Sequence, residues 1–457
     1  MIKSGLSEIW GRRIRMAGVL GLLAVGVILP VSAGDWPNWR GPSYDGSAEE
    51  THLPERFSPT EKVLWSQAMP GPDAATPIVI GNRIYISATE KAGNKTALVA
   101  LCLDRDKGDT LWKKPIATTD RKCRMQNTWA SPSPVSDGKR SFFLYGTGDF
   151  AAFDEKGDIL WTRNLQKEEG PWFLMWDFGS SPLLYKDKLY LAVMQRTKPY
   201  DWSLPGATAE PAQGYLLCLD PATGKDLWKQ KRPSDANDES LEAYTTPIPY
   251  NVHGREEILV AGGDYLTAHN PQTGAELWRV CYYPEHPNHK PLVPSPVVEN
   301  GTVFGTQGKW GMPFALSIPQ EPKGEIPFNA LTWTQKVESS DTPSLLYYRD
   351  RLYIVHDARK TIQCLNPKTG EQIWQGELGG DTFFRSSPVA ADGKIYCLNM
   401  KGRVVVLKAG DEFKILSEIE MGGGDSSCAT IAIADGELFI RTNKTLFCVG
   451  EEMVEKK

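Results

Sequence analysis

The strongest constraint on this chain is a short phrase that it repeats. Residues 218–228 read CLDPATGKDLW, residues 268–278 read AHNPQTGAELW and residues 364–374 read CLNPKTGEQIW. Each runs from a small residue through Asp or Asn and a turn ending in Gly to a short strand closing on Trp. Looser copies end at Trp112 and Trp161, and Trp65 and Trp333 stand at the matching point of their own segments. A strand-only unit recurring every roughly 40–65 residues is the signature of propeller blades. The phrase has local reasons. Asp220, Asn270 and Asn366 can bond the backbone two residues on. Gly224, Gly274 and Gly370 supply the left-handed conformation that a bulged hairpin needs. The tryptophans Trp65, Trp112, Trp161, Trp228, Trp278, Trp333 and Trp374 are therefore read as wedges between blades, not as catalytic groups.

The stretches between copies share one plan. A Ser/Thr–Pro lead-in opens each unit, at Thr76–Pro77, Ser133–Pro134, Ser181–Pro182, Thr246–Pro247, Ser295–Pro296, Thr342–Pro343 and Ser387–Pro388. An alternating second strand follows, as half-buried antiparallel strands require. The last unit supplies three strands, 428–433, 437–441 and 446–449, and segment 62–68 with Trp65 is a lone outer strand. Joined, they make an eighth blade, giving an all-β, eight-bladed propeller of four-stranded blades closed by an N-terminal outer strand. Closing a ring in this way removes its free edges. A seven-bladed ring with the C-terminal strands outside it is the alternative.

Residues 1–33 read as a secretory leader. Arg12, Arg13 and Arg15 precede an apolar run from Ala17 to Leu29, and small residues follow at Ser32 and Ala33. The run is shorter than the roughly 20 residues that span a bilayer, and an uncleaved anchor is the other reading. Export implies a periplasmic or secreted protein, and no cysteine near the cleavage point offers a lipid anchor. The expected layout is an extension over 34–61, the propeller over 62–450 and a charged tail over 451–457. Without the leader, 47 basic residues face 55 acidic ones, a net charge of −8. Nothing in that balance attracts nucleic acid. Of the 8 cysteines, Cys102, Cys218, Cys364 and Cys448 occupy the position held by Ala152 and Ala268 in other units. A position taking either residue is a small buried niche, where a free thiol acts as a small hydrophobe. Disulfides among Cys123, Cys281, Cys397 and Cys428 stay open.

The phrase resembles the tryptophan docking motif of the pyrroloquinoline-quinone (PQQ) repeat, and the resemblance runs over most of the chain from about 62 to 449. It implies a quinoprotein-type propeller. One branch of that family is dehydrogenases with PQQ and calcium at the propeller centre; another is BamB-like propellers that bind protein partners and no quinone. No adjacent cysteine pair and no haem-attachment motif is present, so no cofactor is expected, and the BamB-like, non-enzymatic type is the closer one.

Function is then sought where loops break the repeat. Segment 121–129 carries Arg121, Arg124, Asn127 and Trp129; segment 171–177 carries Trp172, Trp176 and Asp177. The insertion 195–214 contains Tyr200 and Trp202, and His286, His289, Lys309, Trp310, Phe384 and Arg385 lie on later loops. Aromatics with arginine make contact surfaces, so a binding face over blades two to five is expected, for a protein partner or a glycan or other small ligand. The chain is expected to act as a monomer. His286 and His289 alone do not make a metal site. Asp177, Asp341 and Asp425 each precede an inner strand and form a candidate carboxylate cluster. A PQQ- and calcium-dependent oxidoreductase and a carbohydrate-active propeller remain alternatives.

Overall fold

The ladder explains why the repeated phrase alternates cysteine with alanine. In seven blades the small residue faces the tryptophan across the last two strands: Cys102–Trp112, Ala152–Trp161, Cys218–Trp228, Ala268–Trp278, Ala315–Trp333, Cys364–Trp374 and Cys448–Trp65. Facing Cβ atoms in a ladder stand roughly 4.5–5.5 Å apart, so an indole tolerates only a small neighbour there. All 8 cysteines are free thiols, and those four are buried.

The computed structural model describes residues 34–124, 127–201, 210–337 and 339–451; the leader, Trp202 and most of the charged tail lie outside them. Eight sheets form eight blades, antiparallel but for one added strand in blade four. From first to last strand, blade one is Ile78–Ile80, Arg83–Ala92, Lys95–Asp104 and Thr110–Thr119. Blade two begins at Val135, blade three at Leu183, blade four at Ile248, blade five at Val297, blade six at Leu346 and blade seven at Val389. Blade eight is Ala432–Ala434, Glu437–Arg441 and Thr445–Val449, completed by the N-terminal strand Val63–Ala68. Trp65 pairs with Cys448 in that last ladder. The ring has eight blades, not seven.

Between blades, most of the indoles reach the turn of the following sheet. Trp65 Nε1 donates to Arg105 O at 2.7 Å, Trp161 to Pro221 O at 2.9 Å, Trp333 to Pro367 O at 2.9 Å and Trp374 to Gly410 O at 2.8 Å. The turn glycine lies flat on the ring. A Cβ at Gly224 would stand 2.6 Å from Trp161, and one at Gly274 2.4 Å from Trp228. Glycine is thus required twice, by its positive φ and by the indole.

Trp278 departs from this pattern. Its Nε1 donates within blade four, to Glu257 Oε2 at 2.8 Å, and the ring is fully buried. Blade five replaces the expected turn with a longer connection, from which Gly324–Ile326 pairs in parallel with the outer strand of blade four. Blade four therefore has five strands.

At the centre, buried Ser and Thr residues close a ring of hydrogen bonds. Thr76 N donates to Ser133 Oγ (2.9 Å), Ser133 N to Ser181 Oγ (3.0 Å), Ser181 N to Thr246 Oγ1 (3.3 Å) and Thr246 N to Ser295 Oγ (3.0 Å). Ser295 N continues to Ser344 Oγ (2.9 Å), Ser344 N to Ser387 Oγ (2.9 Å), Ser387 N to Thr430 Oγ1 (3.3 Å) and Thr430 N back to Thr76 Oγ1 (3.2 Å). The lead-in of blade six is corrected by this ring: Ser344, not Thr342, is its member. Where last and first blades meet, Arg441 Nη2 lies 3.2 Å from Asp73 Oδ2 with both side chains wholly buried, and Arg105 spans Asp435 and Glu437 at 2.7 and 3.0 Å.

Candidate functional site: the central cavity

The lead-in loops of the blades converge on one cavity of about 400 Å³, within the size range of small-molecule sites. Its wall includes belt hydroxyls from Thr76, Ser133, Ser181, Thr246, Ser387 and Thr430. Each of these oxygens already accepts a neighbouring N–H, leaving its own O–H to donate. Asn127, Trp176, Asp177, Tyr244, Lys309, Asp341, Thr342 and Arg385 stand beside the belt, and Trp39 and Cys428 are also among the wall residues.

Several of the expected loop residues meet here. Asn127 Nδ2 donates to Trp176 O at 2.6 Å, and Arg124 N donates to Asp177 Oδ2 at 2.8 Å. Trp176 Nε1 is fixed by Glu239 Oε1 at 2.9 Å, and its backbone N–H by the Tyr244 hydroxyl at 3.3 Å. That hydroxyl donates to Glu242 Oε2 at 2.6 Å. Glu242 is fully buried against Arg196 and also accepts from Met175 N at 2.9 Å. The loop carrying Trp176 is thus held by a buried carboxylate.

Opposite charges are gathered on the other side. Asp341 Oδ2 lies 3.7 Å from Arg385 Nη1 and 3.9 Å from Lys309 Nζ. Burial raises the Asp341 carboxyl above its ordinary value, and the two cations oppose that rise. Asp177 is raised by burial in the same way, opposed first by the bond from the Arg124 backbone. Arg385 Nη1 donates to Thr342 Oγ1 at 2.8 Å, while its Nε is buried without a partner. Next to Lys309, Trp310 holds a left-handed backbone (φ 52°), pinned by Asp357 Oδ1 at 3.3 Å from its indole nitrogen. A bulky residue in that region is strained, and such strain gathers at functional sites.

Other expected residues stand elsewhere. Trp129, Trp172 and Phe384 are buried at 3%, 6% and 1% exposure. Trp172 bonds the Tyr215 hydroxyl at 3.0 Å and Trp129 the Arg121 carbonyl at 3.2 Å, so these three are core residues of the loops. Arg121 packs on the Trp129 ring at 4.9 Å and Arg124 on Tyr200 at 4.2 Å. His286 pairs with buried Asp264 at 2.9 Å, and His289 is 72% exposed beside Glu239. Neither histidine lines the cavity. Of the three aspartates, Asp425 caps Lys444 N at 2.7 Å, and only Asp177 and Asp341 line the cavity. Trp202 lies outside the described residues. Lys309, expected on a later loop, lines the wall, and Trp39, which also lines it, was not among the expected residues.

The comparisons agree with the architecture. A family profile described as outer membrane protein assembly factor BamB matches residues 58–170 and 212–449, more than half of the chain. Tetrathionate hydrolase of Acidithiobacillus ferrooxidans is 24% identical over 374 residues, covering 74% of this chain and 65% of that protein. This chain therefore spans less than two thirds of that relative. Among solved structures, BamB from Moraxella catarrhalis superposes with a TM-score of 0.56 at 13% identity, covering 86% of this chain and 98% of its own. A europium-containing methanol dehydrogenase gives 0.64 at 12% identity, covering 90% and 89%. Such identities show the fold alone. With its blades, its repeated phrase and a profile match that runs through to the closing blade, the chain belongs to the PQQ-repeat propeller family described by BamB.

Proposed function

We propose that this protein is an exported binding propeller that holds a small, oxygen-rich anion in its central cavity. The observation that carries this reading is the convergence of Lys309 and Arg385 over a belt of hydroxyl donors. The chain is acidic overall, yet the cavity wall and the loops above it gather Arg121, Arg124, Lys309 and Arg385 around two aspartates. Asp341 engages its cations only at 3.7–3.9 Å, leaving donors free for a ligand; charge-assisted bonds of this kind are the strong ones. The wall contains no histidine among the described residues, so no nucleophile–histidine pair faces the ligand. Thermal-shift titration with tetrathionate, sulfate and PQQ tests the reading, with Lys309→Met/Arg385→Gln as control. Stabilisation by none of them, or equal stabilisation of the variant, would refute it.

PQQ itself meets a mixed fit. The cations and hydroxyls suit its carboxylates. No group of three His, Cys, Asp or Glu that could hold a metal ion occurs among the described residues, so a calcium ion beside it would have to draw on amide and backbone carbonyl oxygens as well as a carboxylate. Dye reduction on adding PQQ, calcium and an alcohol would favour the oxidoreductase reading over this one. A protein partner on the same face is a second reading. It is favoured by Trp310 and Phe383, 39% and 42% exposed beside the cavity, each under a cation at 4.8 and 5.4 Å. A pull-down lost on Trp310→Ala/Phe383→Ala, with anion binding intact, would establish it.

A further inference from the structure

A propeller has an axial channel, and in this chain the N-terminal segment reaches it. Trp36 bridges to Val79 of blade one and Ser47 to Ala390 of blade seven, so the segment is tied to the ring on both sides of the join. Between these anchors Trp39 enters the centre, where its Nε1 donates to the belt oxygen Thr246 Oγ1 at 3.0 Å. Trp39 borders the central cavity and also a space of about 10 Å³ between this segment and blades three and four. It therefore stands between the cavity and that smaller space.

What lies beneath the indole decides what it can receive above. The Arg40 guanidinium carbon is 5.5 Å from the Trp39 ring centroid, within cation–π range. Arg40 is 2% exposed and locked to carbonyls, with Nη1 donating to Pro388 O at 3.1 Å and Nη2 to Leu345 O and Asp45 O. Burial lowers its pKa only to about 10, so it is charged at neutral pH. A fixed cation draws on the ring's π density and leaves the opposite face a poor seat for a second cation.

We infer that Trp39 is the floor of the ligand site, supplied by the N-terminal segment and not by a blade. Backed by Arg40, it makes the site favour anionic or electron-rich groups and reject cations. This rests on the reading of the cavity as the binding site.

Calorimetric titration of the purified protein tests it with three probes: tetrathionate, PQQ and choline as the cation. At least one anion binds the wild type and choline does not. Arg385→Gln weakens that anion by about tenfold or more, the cost of a lost charge-assisted bond. Trp39→Ala weakens it by a similar factor, and Trp39→Phe, which keeps a ring, stays within about threefold. The Phe variant keeps the test valid if the Ala variant fails to fold: loss in Phe equal to the loss in Arg385→Gln overturns the floor assignment, because a bond and not the ring would then be at work. Loss in Arg385→Gln with none in Trp39→Ala keeps the cavity and rejects the floor. Binding unchanged in both rejects the cavity. Choline binding that Trp39→Ala abolishes rejects the charge preference. Failure of both anions to bind the wild type overturns the inference together with the reading beneath it.

Discussion

Replacing Gly274 by alanine tests what the repeated phrase is for. Two costs fall on this one position. Its φ is 72°, and a Cβ there would meet Trp228 at 2.4 and 2.5 Å. An L-residue in the left-handed region costs roughly 1–2 kcal/mol, offset by about 0.4–1 kcal/mol from a stiffer unfolded chain. Gly254 isolates that term, since its φ is 75° and nothing lies within 4 Å of its Cβ position. Gly254→Ala should therefore cost about 1 kcal/mol or less. Gly274→Ala must also push the indole away, an overpacking cost of about 1–3 kcal/mol. It would loosen the Trp228 Nε1 bond to Pro271 O, 3.3 Å long, which is worth about 1 kcal/mol.

The expected gap between the two variants is about 2–4 kcal/mol, read from urea unfolding by circular dichroism. Trp228→Ala alone should cost about 3–5 kcal/mol. On that background Gly274→Ala should fall back to the value of Gly254→Ala, a coupling as large as that gap, about 2–4 kcal/mol. If Gly274→Ala and Gly254→Ala agree within about 0.5 kcal/mol, or the coupling vanishes, the indole does not select the glycine and the inter-blade wedge is misread.

Three further outcomes are expected. Arg441→Leu strands buried Asp73 at the join of first and last blades and should cost about 3–5 kcal/mol in urea unfolding, with Asp73→Ala/Arg441→Leu losing less than the single change; a double variant worse than the single would contradict the pairing. His269 is fully buried between Gly274 O (3.0 Å) and Thr267 Oγ1 (2.8 Å), and burial lowers its pKa from 6.5 to about 4. The unfolded chain then binds a proton that the folded one refuses, so stability present above pH 6.5 is lost as pH falls toward 4, by up to about 3 kcal/mol; His269→Gln should flatten that slope, and an unchanged slope would refute it. Ser344→Ala removes a buried acceptor from Ser295 N and should cost about 1–3 kcal/mol, whereas Thr342→Ala, whose hydroxyl serves Arg385, should cost well under that; the reverse order would undo the corrected register.

How far the sequence could be read follows from where each residue finds its reason. The phrase ending in tryptophan was legible because its causes are local: an Asx turn, a left-handed glycine and a small residue facing an indole. The N-terminal strand was legible because Trp65 carried the same mark. Trp129, Trp172 and Phe384 misled because they stand in loops by sequence and in packed loops by structure, and nothing nearby in the chain reveals that packing. Trp278 looked like its counterparts, but its bonding depends on a connection in blade five that lacks the usual turn.

The belt shows where a usable signal was overlooked. Proline drew attention to Thr342, yet every belt residue stands two positions before the first residue of its inner strand: Thr76 before Ile78, Ser133 before Val135, Ser344 before Leu346, Thr430 before Ala432. Thr430 has no proline after it, so proline is an accessory and the hydroxyl's register is the rule. That register follows from geometry. A side chain one turn of the pleat earlier would point away from the axis, and a ring of donors and acceptors closes only if every blade offers its hydroxyl at one height. The same rule that builds the scaffold thus lays out identical donors around the cavity, which makes the wall unselective. Selectivity has to come from side chains that differ from unit to unit or lie outside the units. Arg385 stands two residues before belt Ser387, where Tyr244 precedes Thr246 and Cys428 precedes Thr430. Lys309 stands on the loop between the second and third strands of blade five, and Trp39 comes from the N-terminal segment.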